Sequence, residues 1–214
     1  MSHVVSDADE ARSGAVLIPV KAFAEAKGRL AAAVESSDRA LLARRMATHV
    51  VEAQELPVAV CCDDEGVAAW ARSVGAEVVW CPGTDLNGAI AAGFRHLGDR
   101  GITSVAIAHS DLPLASSLHD LLHWPGVTIV PDRHRTGTNV MALPTDLDFE
   151  FSYGAGSFAR HIVEAVRHRR GLRIVHDPAL GWDVDQPADL DLPGSGDLIR
   201  RLLDERPDPE DPNS

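Results

Sequence analysis

The sequence has 214 residues, 45% of them hydrophobic, and a formal net charge of -12 at pH 7. This length and composition predict one globular domain with a substantial core, or one domain with a small addition. The acidic charge argues against a nucleic-acid partner or an anionic membrane surface and makes a divalent cation a natural partner.

Two further features of the composition indicate where the protein works. No run approaches the roughly 18 apolar residues of a membrane span, and the acidic start MSHVVSDADE lacks the basic and apolar regions of a signal peptide. The three cysteines, Cys61, Cys62 and Cys81, lack the spacing of a metal site. We therefore expect buried free thiols, no membrane partner and a location in the cytoplasm.

Strands and helices alternate along the chain. The predicted strands are residues 15–20, 57–62, 76–81, 105–108, 127–130, 139–143 and 172–175. The predicted helices are residues 38–55, 64–74, 87–97, 118–123 and 157–169. This alternation implies right-handed crossovers and an α/β fold with a mostly parallel central sheet flanked by helices on both faces. We expect a single domain over residues 1–205 and a disordered tail over residues 206–214, which are polar and proline-rich.

The strand at residues 105–108 is apolar without alternation, which predicts a central strand covered on both faces. His109, Ser110 and Asp111 follow at its carboxyl end, where open α/β sheets bind their ligands. Asp111 is therefore the first candidate site residue. The alternative is that Asp111 caps the turn before a helix at residues 116–122.

The loop after the first strand, VKAFAEAKGRL, carries three cations: Lys21, Lys27 and Arg29. Cations and backbone amides in such a loop can hold a polyphosphate. Neither GxxxxGK[ST] nor GxGxxG occurs in the chain, so a solvated basic loop is the alternative. We expect Lys27 and Arg29 to lie in an exposed loop, where their substitution has little effect on stability.

Two glycine-containing segments precede a strand and a helix. In PDRHRTGTN, amides near Gly137 and the hydroxyls of Thr136 and Thr138 could bind phosphate or carboxylate oxygens, or form an ordinary turn. Solvation alone would account for Arg133. In YGAGS, Ser157 is expected to cap the following helix, whose first-turn amides would offer an anion site.

The segment GWDVDQPADL contains two carboxylates, Asp183 and Asp185, at a spacing of two. In an extended backbone they share one face and can reach the same cation. Carboxylate and phosphate oxygens suit Mg²⁺, which is usually held by one or two carboxylates. Pro187 and Asp189 predict the start of a short helix. The alternative is a solvated acidic turn.

Five segments, taken in order, resemble the 2-phospho-L-lactate or phosphoenolpyruvate guanylyltransferases of deazaflavin coenzyme F-420 biosynthesis: PVKAFAEAKGRL, SDLP, DRHRTGTNVM, FSYGAGSFARH and GWDVDQPADL. The resemblance covers about residues 15–190 and implies a Rossmann-like nucleotidyltransferase fold. It implies condensation of GTP with phosphoenolpyruvate to give enolpyruvoyl-2-diphospho-5'-guanosine and pyrophosphate. The alternative acceptors are 2-phospho-L-lactate and 3-phosphoglycerate.

The resemblance also implies roles for individual residues. The residues matching the Mg²⁺ ligands are Asp111, Asp183 and Asp185. The residues matching positions that hold the phosphorylated acid are Thr138, Gly154 and Ser157. The residues matching positions near the nucleotide are Lys21, Lys27, Arg29 and, in DLNGAI, Asn87. The expected catalytic residues are Asp111, Lys27 and Arg29.

The expected cofactor is Mg²⁺, as two ions, and the expected ligands are GTP and a small phosphorylated three-carbon acid. A phosphate monoester is mostly dianionic at neutral pH and needs no general base, so the ten histidines are expected to be structural or peripheral. Assembly into a homo-oligomer and hand-over of a labile product to the next enzyme are left open.

Two other functions are weighed against this hypothesis. Transfer of another nucleotide to a sugar phosphate or a molybdopterin is disfavoured, because the usual LxGGxGxR-type loop is missing after the first strand. A catalytically silent nucleotide-binding regulator is disfavoured because all three carboxylates are present.

Overall fold

The computed structural model describes residues 13–32 and 34–190. The strands of this part, β1 to β7, are Gly14–Pro19, Val58–Cys62, Glu77–Trp80, Ser104–Ala108, Val127–Pro131, Thr138–Pro144 and Leu172–Ile174. Its α-helices, α1 to α4, are Ser36–Glu52, Glu65–Ser73, Leu86–Asp99 and Ser157–His168. The predicted tail at residues 206–214, and the domain boundary before it, lie outside the described residues.

The strands form a seven-stranded sheet in the order β3-β2-β1-β4-β6-β5-β7. The first four strands are mutually parallel, and β5 is parallel to β7, so the predicted, mostly parallel α/β sheet is confirmed. The exception is β6, which is antiparallel to both β4 and β5. The reason is the short turn at residues 132–137 between β5 and β6, because a parallel connection needs a crossover of a dozen or more residues.

Alternate residues of the sheet pack against helices on opposite faces. On β1, Val16 and Ile18 join a buried cluster with α1 and α2, whereas Ala15 and Leu17 join a second cluster with α3 and α4. The three layers predicted from the alternation of strands and helices are therefore present. The α3 helix packs closely, because a side chain at Gly93 would overlap the Cys61 thiol and Leu17.

The central strand β4 is buried over its whole length and pairs with β1 and β6, as its unbroken apolar run predicts. Cys61, Cys62 and Cys81 are free and buried, as expected. Within the described residues, none of the helices combines the length and the hydropathy required to cross a membrane.

Two local predictions were wrong. The helix predicted near residues 118–123 is a single 3-10 turn, His119–Leu121, because the chain reaches Pro125 and then β5 before a stable helical nucleus can form. The loop after β1 is not irregular throughout, since it contains the 3-10 helices Phe23–Glu25 and Gly28–Ala32. The predicted short helix near Pro187 is present as the 3-10 helix Pro187–Leu190.

Candidate active site

Asp111 lies just beyond β4, at the sheet edge where the parallel strands β1 to β4 all end. Its Oδ2 accepts a hydrogen bond from the Lys27 ammonium, while its Oδ1 is buried without a hydrogen-bond partner among the described residues. The following 3-10 turn has no side-chain cap. The capping alternative is therefore wrong, and Asp111 faces the site.

Lys27 connects two of the three candidate metal ligands. Its Nζ pairs with Asp111 and lies 3.2 Å from Oδ1 of Asp185. Burial lowers the pKa of Lys27, but the carboxylates of Asp111 and Asp185 more than offset this, so its pKa lies above the ordinary value. Burial likewise opposes ionisation of Asp111, yet the Lys27 ammonium holds the pKa of that carboxyl below its usual value. This cation and carboxylate are both charged at neutral pH.

The prediction of an exposed basic loop is wrong for Lys27, whose side chain is 8% exposed. The backbone of Lys27 also has φ 59, a left-handed conformation that is strained for a side chain of this size. The prediction is correct for Arg29, whose side chain is 76% exposed and whose guanidinium lies 3.3 Å from Asp185 Oδ2. Lys21 is exposed and forms no ion pair with any residue in the described part of the chain.

Asp183 and Asp185 lie on either side of the buried Val184, as two residues on one face of an extended segment should. Asp183 Oδ1 accepts a hydrogen bond of 3.3 Å from Asn139 Nδ2. Burial raises the pKa of Asp183, and the negative charges of Asp111 and Asp185 raise it further. The three carboxylates therefore repel one another across a small space.

Asp189, which the sequence indicated only as part of the start of a short helix, is a buried carboxylate that shapes this acidic segment. Its Oδ2 accepts hydrogen bonds from the backbone amides of Asp185 at 2.8 Å and Gln186 at 2.7 Å. Its Oδ1 pairs with the Arg133 guanidinium, which also lies 4.4 Å over the Trp182 ring. The interpretation of Arg133 as merely solvated is therefore wrong. We call Arg133 and Asp189 the carboxylate brace.

The three predicted acid-binding residues lie together at the start of α4. The Thr138 amide donates to Ser157 Oγ at 3.1 Å, and the Ser157 amide donates to the Gly154 carbonyl at 3.0 Å. The prediction that Ser157 caps α4 was wrong, because Gly156, with φ 74, is the N-cap and makes no side-chain bond. The Ser157 hydroxyl is instead used to hold Thr138.

A buried histidine supports this arrangement from α4. His161 Nε2 accepts from the Ser152 amide at 3.1 Å, so its Nδ1 carries the proton and donates to Thr138 Oγ1 at 3.0 Å. Burial lowers the pKa of His161 to about 4. The neutral imidazole is structural, as expected for the histidines. Near it, the Tyr153 ring contacts His161 edge-on, with 4.7 Å between ring centroids, and His109 at a tilt, with 5.4 Å between ring centroids.

The amides near Gly137 are not available to an anion. Asp132 accepts hydrogen bonds from the amides of Thr136 at 2.8 Å and Gly137 at 2.7 Å, and from the Thr136 hydroxyl at 2.9 Å. The alternative of an ordinary turn is therefore confirmed for this part of PDRHRTGTN. The next two residues connect to the candidate site, because Thr138 contacts Ser157 and Asn139 contacts Asp183.

Asn87, predicted to lie near the nucleotide, binds the backbone of Tyr153 on both sides of its amide group. Its Oδ1 accepts from the Tyr153 amide at 2.6 Å, and its Nδ2 donates to the Tyr153 carbonyl at 3.4 Å. The side chain thus ties the start of α3 to the YGAGS segment. Asp85, two residues earlier, caps α3 through Gly88 N at 2.8 Å.

A cavity of about 470 Å³ lies over the carboxylates and cations, and we call it the charged cavity. It is lined by Lys21, Lys27, Arg29, Asp111 and Asp185 among others. Its described lining does not include Asp183 or the three predicted acid-binding residues. Thr138 is nevertheless close to Asp183, because the next residue, Asn139, donates a hydrogen bond to Asp183. The charged cavity brings three carboxylates, Asp111, Asp185 and Glu25, and three cations into one space that a polyphosphate could enter.

The carboxylates fit a hard divalent cation. Asp111 Oδ1 is a buried acceptor without a partner, and the mutual repulsion with Asp183 would be relieved by a positive ion. Mg²⁺ typically takes one or two carboxylates and completes its shell with water and phosphate oxygens. In the described residues, the one trio with ligand atoms within 4.8 Å of one another is His119, Asp120 and His123, at the opposite end of the sheet. The three aspartates therefore form a more open set.

The mixed sheet has the nucleotidyltransferase fold, and the charged cavity lies at its carboxyl edge. A crystal structure from Desulfovibrio desulfuricans G20, assigned as a nucleotide-diphospho-sugar transferase, has the same fold, with a TM-score of 0.67 at 16% identity. The alignment covers 89% of this chain and 96% of that one.

Sequence comparison gives the family. Residues 14–199 match the family model described as guanylyl transferase CofC like. A phosphoenolpyruvate guanylyltransferase of Sphaerobacter thermophilus is 34% identical over 185 residues, which cover 82% of this chain and 89% of the relative. One of Rubrobacter xylanophilus is 33% identical over 81% of this chain and 90% of the relative. The chain belongs to the guanylyl transferase CofC-like family, and the resemblance inferred from its motifs is confirmed.

Proposed function

We propose that this enzyme condenses GTP with phosphoenolpyruvate, giving enolpyruvoyl-2-diphospho-5'-guanosine and pyrophosphate, in the biosynthesis of coenzyme F-420. The observation that carries the proposal is the pairing of Lys27 and Arg29 with Asp111 and Asp185 inside the charged cavity. Relatives named phosphoenolpyruvate guanylyltransferase support the choice of both substrates.

The reaction joins two anions, so positioning and charge neutralisation are the main requirements. A phosphate oxygen of phosphoenolpyruvate attacks the α-phosphorus of GTP, and the bond from that phosphorus to the bridging oxygen of the β-phosphate breaks. The electron pair leaves with pyrophosphate. No proton must be removed from the nucleophile, because a phosphate monoester is largely dianionic at neutral pH.

Lys21, Lys27 and Arg29 are positioned to bind the phosphates of the nucleotide. Lys27 is already held between two carboxylates, so its ammonium is oriented before a substrate arrives. Arg29 and Lys21 are exposed at the cavity and can turn toward phosphate oxygens. Their charges offset the repulsion between the two substrates and the charge that develops on departing pyrophosphate.

Asp111, Asp183 and Asp185 would hold Mg²⁺, as two ions with the phosphates of both substrates supplying further oxygens. The cation would withdraw charge from the α-phosphate and the leaving group. The acid is proposed to bind at Thr138, Gly154 and Ser157, which the structure brings together beside Asn139. The hydroxyls of Thr138 and Ser157 are bonded within the protein. We therefore expect the acid to contact this segment first at the exposed Gly154.

The test is pyrophosphate release from GTP and Mg²⁺ with a panel of acceptors: phosphoenolpyruvate, 2-phospho-L-lactate and 3-phosphoglycerate. We expect phosphoenolpyruvate to have the highest kcat/KM. Asp183→Asn tests the metal ligands, and we expect it to lose most turnover because it loses a metal-binding charge. It should unfold at the same or a higher temperature, because the substitution also removes a charge that repels Asp111 and Asp185. A preference for 2-phospho-L-lactate would change the acceptor alone. No release with any of the three acids would refute the guanylyltransferase proposal.

A further inference from the structure

A second cavity, of about 350 Å³, lies beside the charged cavity at the ends of β1, β2 and β3. The two cavities share Pro19, Val20, Lys21, Glu25 and Leu86 in their linings, so they form one continuous space. A nucleotide whose phosphates occupy the charged cavity would therefore extend its nucleoside into this second space. We call it the nucleoside cavity, and this step rests on the proposed function.

The walls of the nucleoside cavity suit a flat heterocycle. Cys61, Cys62 and Cys81 line it, and burial raises the pKa of all three thiols, so they are neutral. Leu86 and Ala89 line the side formed by α3. These groups offer apolar contact to a ring without competing for its polar edge.

Two of the four carboxylates that line the nucleoside cavity already accept a hydrogen bond at a helix start. Asp64 accepts from the Val67 amide at 2.8 Å and caps α2, and Asp85 caps α3 in the same way. The side chains of Asp63 and Glu25 make no hydrogen bond or ion pair with any residue in the described ranges, 13–32 and 34–190. Glu25 lines both cavities and so lies near their junction, where the phosphates would pass.

Asp63 belongs to the nucleoside cavity alone. It follows β2 directly, and its charge acts on both the Cys62 and Cys81 thiols. The Cys81 amide also donates to the Cys62 carbonyl at 2.9 Å, which holds the ends of β2 and β3 together beside Asp63. An unpartnered carboxylate is thus held next to the neutral thiols that would contact the base.

We propose that the nucleoside cavity binds guanine and that the Asp63 carboxylate reads its N1–H and N2–H groups. Guanine presents two adjacent donors on this edge, and the two oxygens of a carboxylate accept both. Adenine has no N1–H and places its amine elsewhere, so it cannot satisfy the carboxylate in the same way. Asp63 is exposed in the free protein, so a base that covers it without donating to it removes its hydration, and this cost gives discrimination.

The test is a change of base preference rather than a loss of function. Xanthine carries an oxygen where guanine carries the N2 amine, so an amide side chain should match xanthine as a carboxylate matches guanine. Binding of GTP, XTP and ATP would be measured by calorimetry with the full-length protein, Mg²⁺ and no acceptor. For Asp63→Asn we expect GTP affinity to fall roughly 10- to 100-fold and the order of GTP and XTP to reverse.

Glu25→Gln is the matched control, because it removes one negative charge from the same continuous space. We expect it to keep the parent's preference for GTP. Asp63→Ala should lose affinity for GTP without gaining affinity for XTP, which separates recognition of the base from a simple change of charge. The parent order retained in Asp63→Asn, or a reversal in Glu25→Gln, would overturn the proposal.

The inference and the proposed function can fail separately. A parent that selects GTP through Asp63 but releases no pyrophosphate with any acid would refute the reaction and leave the guanine site standing. A parent that turns over GTP while Asp63→Asn keeps the parent order would refute the role of Asp63 alone.

Discussion

Lys27 and Arg29 lie two residues apart and carry the same charge, yet they occupy different environments. Lys27 is buried against Asp111, whereas Arg29 is mostly solvated and, within the described residues, pairs with the partly exposed Asp185 alone. Removing one partner of a buried ion pair leaves the other charge uncompensated, while an exposed pair contributes little. Substitutions of the two residues should therefore differ in their effect on stability, although both residues are proposed to bind the nucleotide.

We expect Lys27→Met to lower the free energy of unfolding by about 3 kcal/mol at pH 7. Arg29→Met should change it by no more than about 0.5 kcal/mol, because its side chain is exposed. Both should weaken GTP binding. Urea denaturation gives the stabilities, and Lys27→Met combined with Asp111→Asn should recover most of the loss because no buried charge is then unpaired. A Lys27→Met protein as stable as the parent would show that the pair does not stabilise the loop.

At the scale of elements, the segment carrying Asp183 and Asp185 has little regular structure of its own, and the carboxylate brace holds it. Asp189 accepts two amides from this segment and is paired with Arg133 on the turn between β5 and β6. The Arg133 amide also donates to the Gly181 carbonyl at 2.8 Å. The brace therefore fixes where the two metal-binding candidates point, without being placed to bind a substrate itself.

We expect Arg133→Leu to raise the Mg²⁺ concentration needed for half-maximal turnover by roughly 10-fold, as the loss of supporting contacts around metal ligands commonly does. The turnover at saturating Mg²⁺ should fall much less, because every proposed ligand is still present. Arg133→Lys should recover part of the effect by restoring a charge near Asp189. Arg135→Leu, on the same turn and exposed, is the matched control. An unchanged Mg²⁺ requirement in Arg133→Leu would refute the brace.

The elements that sequence could predict are those whose signal is local. The strand β4 follows from an unbroken apolar run, and Asp111 from its place directly after that run. The brace could not be predicted in this way, because Arg133 and Asp189 are 56 residues apart and each is common in solvated turns. Ser157 shows the same limit, since the pattern of a cap was present but its hydroxyl is bonded to Thr138, 19 residues earlier.

At the scale of the whole molecule, β6 joins the two halves of the sheet and carries the candidate site residues Thr138 and Asn139 at its start. Its antiparallel direction brings that start to the same edge as the end of β4, because Val140 pairs with Ala108. The acid-binding candidates thus meet Asp111 at one edge of the sheet. His161 donates a hydrogen bond to Thr138 at this edge, so its protonation state should affect the stability of the fold.

The protonation of His161 should make stability depend on pH. Burial lowers its pKa from 6.5 in the unfolded chain to about 4 in the folded protein, so between these values the unfolded state binds more protons. The contribution of the neutral His161 to the free energy of unfolding is therefore fully present above pH 6.5 and is lost as the pH falls toward 4. The contribution of a shift of this size is about 3 kcal/mol. Asp183, whose pKa is raised by burial and by the charges of Asp111 and Asp185, acts in the opposite direction, because its contribution is lost as pH rises.

Urea midpoints measured at intervals from pH 4 to pH 7 would show this rise in the parent. In His161→Gln the amide can still accept from Ser152 and donate to Thr138, but it does not titrate, so the slope over this interval should be much smaller. Its stability at pH 7 should be somewhat below that of the parent, because the amide fills the buried space less well than the ring. Equal slopes in the two proteins would mean that His161 binds a proton as readily in the folded protein as in the unfolded chain. That result would contradict the neutral Nε2 that accepts from the Ser152 amide.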